Sequence, residues 1–278
     1  MAMNYLGLDD LIKRSLEEDI GYGDITTLSV VPAEQISEGL FIAKAVGVIA
    51  GLEVARAVFH QLDPEIIFTG LIKDGDVVQS GETIAKVRGR SRALLTGERT
   101  ALNFLQRLSG IASQTRQWVE IIKDSQASLL DTRKTTPGLR VLEKYAVAVG
   151  GARNHRFGLY DGVMIKDNHI IAAGGIQRAV AMARARVPHT LKIEVEVENL
   201  DQLQVALTAK ADIIMLDNMD PATMKAAVAI VKGRALLEAS GGIKAANLLE
   251  VAQTGVDFIS MGALTHSVFS LDISFNIL

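Results

Sequence analysis

The feature that most constrains the fold is a regular alternation of short apolar runs and helical stretches from Ser128 onward. Each run ends in polar residues or glycine, and most are followed by a stretch with helical periodicity. The predicted strand ends at Glu196, Asp217, Ser240 and Gly262 lie 21, 23 and 22 positions apart, about one strand–helix unit each. This rhythm predicts an α/β region built on parallel strands.

Six runs of this kind can be counted, and they read SLLDTRKT, GVMIKDNH, KIEVEVEN, DIIMLDNM, ALLEASGG and DFISMGAL. A complete barrel of eight strand–helix units typically needs about 250 residues. Only about 150 residues follow Ser128, so we predict a compact, incomplete (open) α/β barrel. The alternative is a doubly wound sheet, which is disfavoured because no G-x-G-x-x-G turn opens a helix. Helices are predicted between the strands, at 176–186, 200–209, 222–232 and 245–253.

The first part of the chain has a different pattern. Short β-like runs at 40–45, 66–69 and 83–87 are separated by glycine, aspartate and proline turns. They predict an α+β sandwich domain with a mainly antiparallel sheet. Residues 96–123 are predicted to form a helix that links the two regions, with Gly110 as a break in it.

These patterns place the sandwich domain at residues 1–110 and the barrel domain at 111–278, with a C-terminal tail that can pack back on the first domain.

The net charge of −3 gives no reason to expect a nucleic-acid or membrane partner. The absence of cysteine excludes disulfides, thiolate nucleophiles and zinc–sulfur sites. Residues 1–20 predict an amphipathic helix rather than a signal peptide, and no apolar run approaches the roughly 20 residues that span a bilayer. We expect a soluble, cytoplasmic protein.

The run KIEVEVEN is unusual for a parallel strand, because such strands are normally apolar on both faces. Side chains alternate along a strand, so Glu194, Glu196 and Glu198 share one face. Carboxylates turned toward a barrel interior require a metal ion or a cationic partner to offset the cost of desolvation. The alternative is an edge strand with a solvated acidic face.

Basic residues cluster at other predicted strand ends. Arg133 and Lys134 lie in the polar run 131–136, Asn154-His155-Arg156 follows two glycines, and Lys166 follows the next apolar run. Arginine offers a planar fork that suits carboxylates and phosphates. Each segment alone is equally compatible with a solvated surface, but functional groups gather at the carboxyl ends of parallel strands. The clusters together predict an anion site.

Two glycine turns follow the last two predicted strands: Ser240-Gly241-Gly242 and Met261-Gly262-Ala263. Glycines there let backbone N–H groups approach a phosphate, although a lone turn of this kind is more often a tight connection. The histidines do not have the spacing of a metal site, and no serine lies in a G-x-S-x-G context.

These motifs together resemble those of the quinolinate phosphoribosyltransferases, a family of type II phosphoribosyltransferases. The resemblance runs along nearly the whole chain. The segments that carry it are 17–27, 96–103, 131–140, 143–145, 154–156, 165–169, 194–198, 216–218, 238–242 and 262–267.

The resemblance implies an N-terminal α/β sandwich followed by an open α/β barrel. It also implies a reaction in which quinolinate and phosphoribosyl pyrophosphate give nicotinate mononucleotide, pyrophosphate and carbon dioxide in NAD biosynthesis. Mg²⁺ would accompany the phosphoribosyl pyrophosphate, with no organic cofactor. A homodimer with shared active sites is implied as well, because Arg99, in a substrate-contacting helix, would come from the second subunit.

Residue roles follow from the same resemblance. Glu196 and Asp217 would bind Mg²⁺, and together with Lys134 and Lys166 they form the predicted catalytic set. Lys166 would also stabilise a carbanion during decarboxylation. The predicted substrate-binding residues are Arg99, Thr132, Arg133, Lys134, His155, Arg156, Lys166, Glu196, Asp217, Ser240, Gly241, Gly242, Met261, Gly262 and Ala263, the last six of them seating phosphates.

Three other functions remain compatible with parts of the sequence. Residues 73–87 resemble half of a biotinyl or lipoyl carrier motif, although we interpret them as a hairpin of the sandwich domain. Lys134 or Lys166 is compatible with a Schiff-base aldolase. A member of the same family that acts on another ring acid is also compatible.

Overall fold

A computed structural model describes residues 7–278. The first six residues, where the predicted N-terminal helix begins, lie outside the described part. The helices are α1 (Leu8–Ile20), α2 (Ile25–Val30), α3 (Leu52–Leu62), α4 (Ser91–Ile121), α5 (Arg140–Val149), α6 (Asp167–Ala173), α7 (Ile176–Arg186), α8 (Leu200–Thr208), α9 (Pro221–Val231), α10 (Ala245–Ala252) and α11 (Ala263–His266). The strands are β1 (Ile36–Ala43), β2 (Gly47–Val48), β3 (Ile67–Gly70), β4 (Val77–Val78), β5 (Thr83–Arg90), β6 (Ser128–Leu130), β7 (Val163–Ile165), β8 (Ile193–Val197), β9 (Ile213–Asp217), β10 (Leu236–Ser240), β11 (Phe258–Ser260) and β12 (Ile273–Ile277).

The described residues form two compact units that interleave along the chain. The sandwich unit contains the chain up to Arg116 together with Thr136–Gly151 and Ser267–Leu278. The barrel unit contains Gln117–Thr135 and Ala152–His266. In the described part of the chain, no helix is both long enough and apolar enough to cross a membrane.

The sandwich unit is built on a four-stranded sheet in the order β12-β1-β5-β3, and all of its pairs are antiparallel. The predicted antiparallel sheet is therefore confirmed. Phe41, Phe59 and Phe275 pack together on it, with ring centroids of Phe41 and Phe275 4.9 Å apart. Aromatic packing of this kind stabilises a small core beyond the area that it buries.

The predicted break at Gly110 is wrong, because α4 continues through this residue to Ile121. A Cβ atom at Gly110 would lie 2.2 Å from the carbonyl oxygen of Phe269, in the segment before β12. A glycine is therefore required at position 110 because the segment that contains Phe269 approaches the helix closely there. This segment is distant from Gly110 in the sequence.

The predicted hairpin at residues 73–87 is also wrong. Within this segment β4 pairs with β2 in a separate two-stranded sheet, whereas β5 pairs with β1 and β3. The two strands of the segment therefore belong to different sheets.

The barrel unit contains a six-stranded parallel sheet in the order β6-β11-β10-β9-β8-β7. From β7 to β11 the neighbours are consecutive in the chain, and β6 pairs with β11. This is the order of a barrel, with β6 and β7 as the open edges. The open α/β barrel is confirmed, and the doubly wound alternative is wrong because such a sheet reverses its strand order at a switch point.

Helix starts in the barrel unit follow local signals. The Asp220 side chain accepts a hydrogen bond from the backbone N–H of Thr223, and Pro221 is the first residue of α9. Asn199 caps α8 in the same manner through Gln202. Each cap follows within three residues of a strand end, so these helices begin close to the carboxyl edge of the sheet, where Glu196 and Asp217 lie.

Candidate active site

A cavity of about 610 Å³ lies at the carboxyl ends of the barrel strands. Strands β7 to β11 and the segments that follow β6, β7, β9 and β10 contribute to it. Its lining residues are Thr132, Arg133, Lys134, His155, Arg156, Met164, Lys166, Glu196, Met215, Asp217, Asn218, Glu238, Ser240, Gly241, Gly242 and Ser260. Two basic segments, one ion pair and one glycine turn thus surround a single space.

A fully buried carboxylate holds one of the basic segments in place. Asp131 follows β6 and accepts hydrogen bonds from the side chain of Asn154, at 2.7 Å, and from the backbone N–H of His155, at 2.8 Å. Arg153 also forms an isolated parallel bridge with Leu130 at the open edge of the barrel. The segment that carries His155 and Arg156 is therefore attached to β6.

Two arginines meet in this cavity. The Arg156 guanidinium donates to the carbonyl oxygen of Gly162 at 3.0 Å, which fixes its position. Burial lowers the pKa of Arg156, nearby Arg133 lowers it further, and Glu194 partly opposes them. Burial of the guanidinium and its proximity to Arg133 both disfavour its charge, and a bound anion would offset both effects.

The hydrogen bonds of His155 define the state of its ring. The backbone N–H of Arg156 donates to Nδ1 of His155 at 2.7 Å. A backbone amide can only donate, so Nδ1 carries no hydrogen and the ring carries its hydrogen on Nε2. Nε2 lies 3.2 Å from Oε2 of Glu194 and 3.6 Å from Oε2 of Glu238.

The two carboxylates beside His155 are almost fully buried, with side chains 5% and 2% exposed for Glu194 and Glu238. Strand β8 pairs on both sides, with β7 and β9, so the alternative of a solvated edge strand is wrong. Burial, followed by the neighbouring Glu194, raises the pKa of Glu238 to about 8. At neutral pH Glu238 is therefore mainly the neutral acid.

Two acidic side chains farther out in the cavity, Glu196 and Asp217, each have a hydrogen-bond partner. Nζ of Lys166 donates to Oε2 of Glu196 at 2.6 Å, with 42% of the lysine side chain exposed and 13% of the glutamate side chain. Asp217, at the end of β9, accepts a hydrogen bond from the side chain of Asn218 at 2.9 Å. The carboxylates of Glu196 and Asp217 lie on the neighbouring strands β8 and β9, and both line the cavity.

The turn after β10 requires glycine for a specific reason. A Cβ atom at Gly241 would lie 2.3 Å from Oδ1 of Asn218, and the φ angle of Gly241 is +85°. Asn218 itself has a φ of +53°, and its backbone N–H donates to the carbonyl of Ser240. Two tight turns at the ends of β9 and β10 thus pack against each other, and the glycines leave the backbone open to a ligand.

The second glycine turn does not line this cavity. The backbone N–H of Met261 donates to the carbonyl of Leu130 at 2.9 Å, so this amide is already satisfied by the neighbouring strand. A Cβ atom at Gly262 would lie 2.8 Å from Cδ of Lys134, and the Thr265 hydroxyl donates to the Lys134 carbonyl. The segment with Ala263 therefore supports the Lys134 loop, and the phosphate contacts predicted for it stay predictions.

Arg99 lies in α4 of the sandwich unit and is exposed. It is not among the residues that line the cavity, which all belong to the barrel unit. Its neighbour Glu98 has a raised pKa because of burial, and the charge of Arg99 partly opposes this shift. The predicted substrate contact of Arg99 stays a prediction.

Sequence reasoning did not select five residues that line the cavity: Met164, Met215, Asn218, Glu238 and Ser260. A signal existed for Glu238, which lies two positions before Ser240 and therefore shares its face of β10. The same alternation had placed Glu194 and Glu196 together on β8. The two methionines gave no such signal, because a methionine in an apolar strand is typical of a core.

Family models match nearly the whole chain. The model of the N-terminal domain of quinolinate phosphoribosyl transferase matches residues 24–109, and the model of its C-terminal domain matches residues 111–276. A probable nicotinate-nucleotide pyrophosphorylase [carboxylating] of Bacillus subtilis is 49% identical over 275 residues, which cover 99% of this chain and 95% of the relative. The nicotinate-nucleotide pyrophosphorylase [carboxylating] of Mycobacterium leprae is 44% identical over 96% of both chains.

Solved structures agree with these matches. The crystal structure of NadC from Streptococcus pyogenes superposes with a TM-score of 0.95 at 43% identity, covering 100% of this chain and 99% of that one. A nicotinate-nucleotide pyrophosphorylase from Francisella tularensis superposes with a TM-score of 0.94 at 42% identity, covering 98% and 96%.

Proposed function

This chain belongs to the quinolinate phosphoribosyltransferase family, and we propose that the cavity at the carboxyl ends of its barrel strands is its active site. The enzyme is a carboxylating nicotinate-nucleotide pyrophosphorylase, a phosphoribosyltransferase of NAD biosynthesis. Its reaction joins the ring nitrogen of quinolinate to the ribose of phosphoribosyl pyrophosphate, with loss of pyrophosphate and carbon dioxide. The observation that carries the proposal is that Arg133, Arg156 and Lys166 converge with Glu196 and Asp217 in one cavity.

Quinolinate carries two adjacent carboxylates, and the arginines offer the matching charge. Arg156 has a pKa lowered by burial and by Arg133, so a bound dianion relieves repulsion that is present without it. Paired arginine–carboxylate hydrogen bonds also fix orientation, which matters when a ring nitrogen must meet one carbon atom. His155 supports this cradle through the backbone of Arg156. The Thr132 hydroxyl supports the neighbouring Lys134 by accepting a hydrogen bond from its backbone N–H.

The donor chemistry fits Mg²⁺. Glu196 and Asp217 offer carboxylate oxygens on neighbouring strands, and Mg²⁺ is commonly held by one or two carboxylates together with substrate phosphates. When bound, the ion would neutralise charge on the pyrophosphate group. Lys166 donates to Glu196 and so holds this carboxylate in a fixed position within the cavity.

The glycine turn after β10 suits a phosphate group. Ser240, Gly241 and Gly242 line the cavity, and the two glycines contribute only backbone atoms to its surface. Lys134, on the facing segment, offers a mobile point charge for phosphate or carboxylate.

Decarboxylation follows from the charge on the product ring. After transfer the ring nitrogen is cationic, which favours loss of the neighbouring carboxylate as carbon dioxide. The Lys166 ammonium lines the cavity at the end of β7, and its charge would stabilise the carbanion that remains until a proton replaces the lost carbon dioxide.

We infer a homodimer in which Arg99 reaches the active site of the second subunit. An exposed arginine in the segment 96–103, which matches the family pattern, supports this inference. Two-fold symmetry is the commonest closed arrangement for such an assembly. The cytoplasmic location expected from the sequence stays a prediction.

The experiment is a calorimetric titration of quinolinate into the wild-type protein and into two matched variants. Arg156→Gln should weaken binding about tenfold or more, because a charged pair to a substrate carboxylate is lost. Arg186→Gln, on the exposed face of α7, is the control and should bind as the wild type does. Equal affinities in all three proteins would contradict the proposed site.

A further inference from the structure

The segment 131–136, which carries Arg133 and Lys134, lies outside every helix and strand. Regular backbone hydrogen bonds therefore do not determine its shape, and individual contacts must do so. At its start the buried Asp131 is held by the hydrogen bonds described above, and the Thr265 hydroxyl donates to the Lys134 carbonyl at 2.8 Å. The end of the segment is held by residues to which the proposed function assigns no role.

Thr136 ends this segment, and each of its polar groups has a partner. Its backbone N–H donates to Oε2 of Glu143 at 3.1 Å, and its hydroxyl accepts a hydrogen bond from Nη2 of Arg107 at 2.7 Å. Its carbonyl accepts the N–H of Leu139 at 3.0 Å, which closes the turn through Pro137 that leads into α5. The position of Thr136 is therefore fixed through both its backbone and its side chain.

Arg107 on α4 and Glu143 on α5 form a buried ion pair. Both Nε and Nη2 of Arg107 donate to Oε1 of Glu143, the first at 2.9 Å. The glutamate side chain is 0% exposed and the arginine side chain 31%. Removal of a carboxylate from water is costly, and an apolar pair of similar volume often stabilises a protein at least as well. Stability alone therefore does not explain the pair.

The hydrogen bonds to Thr136 explain it better. Oε1 of Glu143 receives both hydrogen bonds from Arg107, and Oε2 is left for the backbone N–H of Thr136. The planar fork of the guanidinium contacts the glutamate and the threonine together, which the single nitrogen of a lysine does not reproduce. Thr136 lies two positions after Lys134, and a chain spans at most about 3.6 Å per residue. The place of Thr136 thus limits where Arg133 and Lys134 can lie.

We propose that Arg107 and Glu143 are positioning residues, which hold Thr136 and thereby keep Arg133 and Lys134 ordered at the cavity before the substrate arrives. A segment that is ordered in advance spares the substrate the entropic cost of ordering it. Without this support only a fraction of the molecules has the binding conformation, and the apparent affinity falls by that fraction. The inference rests on the proposed function for its substrate, but the order of the segment can be measured without one.

The variants Thr136→Val and Arg107→Lys test the contact with little disturbance. Valine has nearly the shape of threonine but accepts no hydrogen bond, and lysine keeps a positive charge beside Glu143. Each variant should raise the KM for quinolinate at least about threefold and change kcat by less than about twofold, because a bound substrate restores the order. Both variants remove the same contact, so the double variant should be no worse than the poorer single one.

Two further variants serve as controls. Thr136→Ser keeps the hydroxyl and should restore the wild-type KM. Thr208→Val removes a hydroxyl that is hydrogen-bonded at the exposed end of α8, and it should bind quinolinate as the wild type does. A merely structural role would lower the thermal stability of Thr136→Val and Arg107→Lys and leave KM unchanged, and this result would overturn the proposal. A lower kcat at an unchanged KM would overturn it as well.

Hydrogen exchange of the intact protein, followed by mass spectrometry, measures the order of the segment without substrate. The backbone N–H groups of Lys134 and Thr136 donate to the Thr132 hydroxyl and to Glu143, so they should exchange slowly in the wild type. In Thr136→Val and in the lysine variant, residues 132–136 should exchange at least about threefold faster, and saturating quinolinate should restore the protection. Equal exchange in all proteins would overturn the proposal. Faster exchange in the variants, with no quinolinate binding or turnover by the wild type, would support the ordering role and refute the proposed function.

Discussion

Nζ of Lys166 lies 2.6 Å from Oε2 of Glu196, so the lysine after β7 and the glutamate on β8 form an ion pair inside the candidate active site. Both were selected from the sequence for different tasks, the lysine for anion binding and the glutamate for metal binding. Their pairing shows that the lysine and the glutamate neutralise each other when no substrate is bound. A substrate that arrives with Mg²⁺ offers phosphates to the Lys166 ammonium and a cation to the Glu196 carboxylate. These new partners reduce the cost of separating the lysine from the glutamate.

Metal dependence is the first consequence. Glu196→Gln and Asp217→Asn should each lower kcat at least about 100-fold, because the oxygen ligands proposed for Mg²⁺ are removed. The matched control is Glu198→Gln, an exposed residue just beyond the same strand, which should keep its activity. Steady-state turnover with and without excess chelator provides the measurement. Full activity in excess chelator would refute the role of the metal.

The second consequence is that the site should select its substrate by charge. Nicotinate lacks one of the two carboxylates, and its binding would leave a cation of the cradle unpaired, which costs on the order of 2 kcal/mol or more. The kcat/KM for nicotinate should therefore be at least about 30-fold lower than for quinolinate. Comparison of the two acids in the same assay tests this, and comparable values would contradict the assignment of Arg133 and Arg156.

The buried acid has a consequence for stability. The pKa of Glu238 is raised from 4.5 to about 8, so between these values the native state holds a proton that the unfolded chain releases. Its contribution to stability is complete below about pH 4.5 and is lost as the pH rises through about 8. Relative to Glu238→Gln, the wild type should lose up to a few kcal/mol of unfolding free energy between about pH 5 and pH 8. Denaturant unfolding of both proteins across this range is the check, and a constant difference would show that Glu238 holds no proton.

The shared active site predicts complementation between two inactive proteins. Arg99→Ala and Lys166→Ala should each be nearly inactive. Subunit exchange between them should restore about a quarter of wild-type activity, because about half of the dimers are mixed and each mixed dimer has one intact site of two. If exchange is demonstrated and the mixture stays inactive, Arg99 acts within its own chain.

Much of this architecture could be predicted because its signals are local. The strand ends at Asp217 and Ser240 are where the apolar runs stop, and the cap at Asp220 requires only a carboxylate followed by Pro221. The open barrel followed from the number and spacing of such units. The site residues at those ends could be selected because parallel strands bring their carboxyl ends together.

The errors concern contacts between distant parts of the chain. Gly110 was interpreted as a helix break because the approach of Phe269 cannot be seen from its neighbours in sequence. The hairpin at 73–87 was wrong because β4 finds its partner in a strand of only two residues, Gly47–Val48. The position of the hydrogen on the His155 ring depends on one hydrogen bond, from the backbone N–H of Arg156 to Nδ1. No sequence pattern encodes this hydrogen bond.

The central claim is that the cavity around Lys166 and Glu196 carries out phosphoribosyl transfer to quinolinate. Its most direct test is a turnover measurement with quinolinate, phosphoribosyl pyrophosphate and Mg²⁺, following nicotinate mononucleotide, pyrophosphate and carbon dioxide together. The account predicts that the wild type forms all three in equal amounts and that Lys166→Gln forms almost none, while Lys225→Gln on the exposed side of α9 behaves as the wild type. Failure of the wild type to form nicotinate mononucleotide, or full activity of Lys166→Gln, would contradict it.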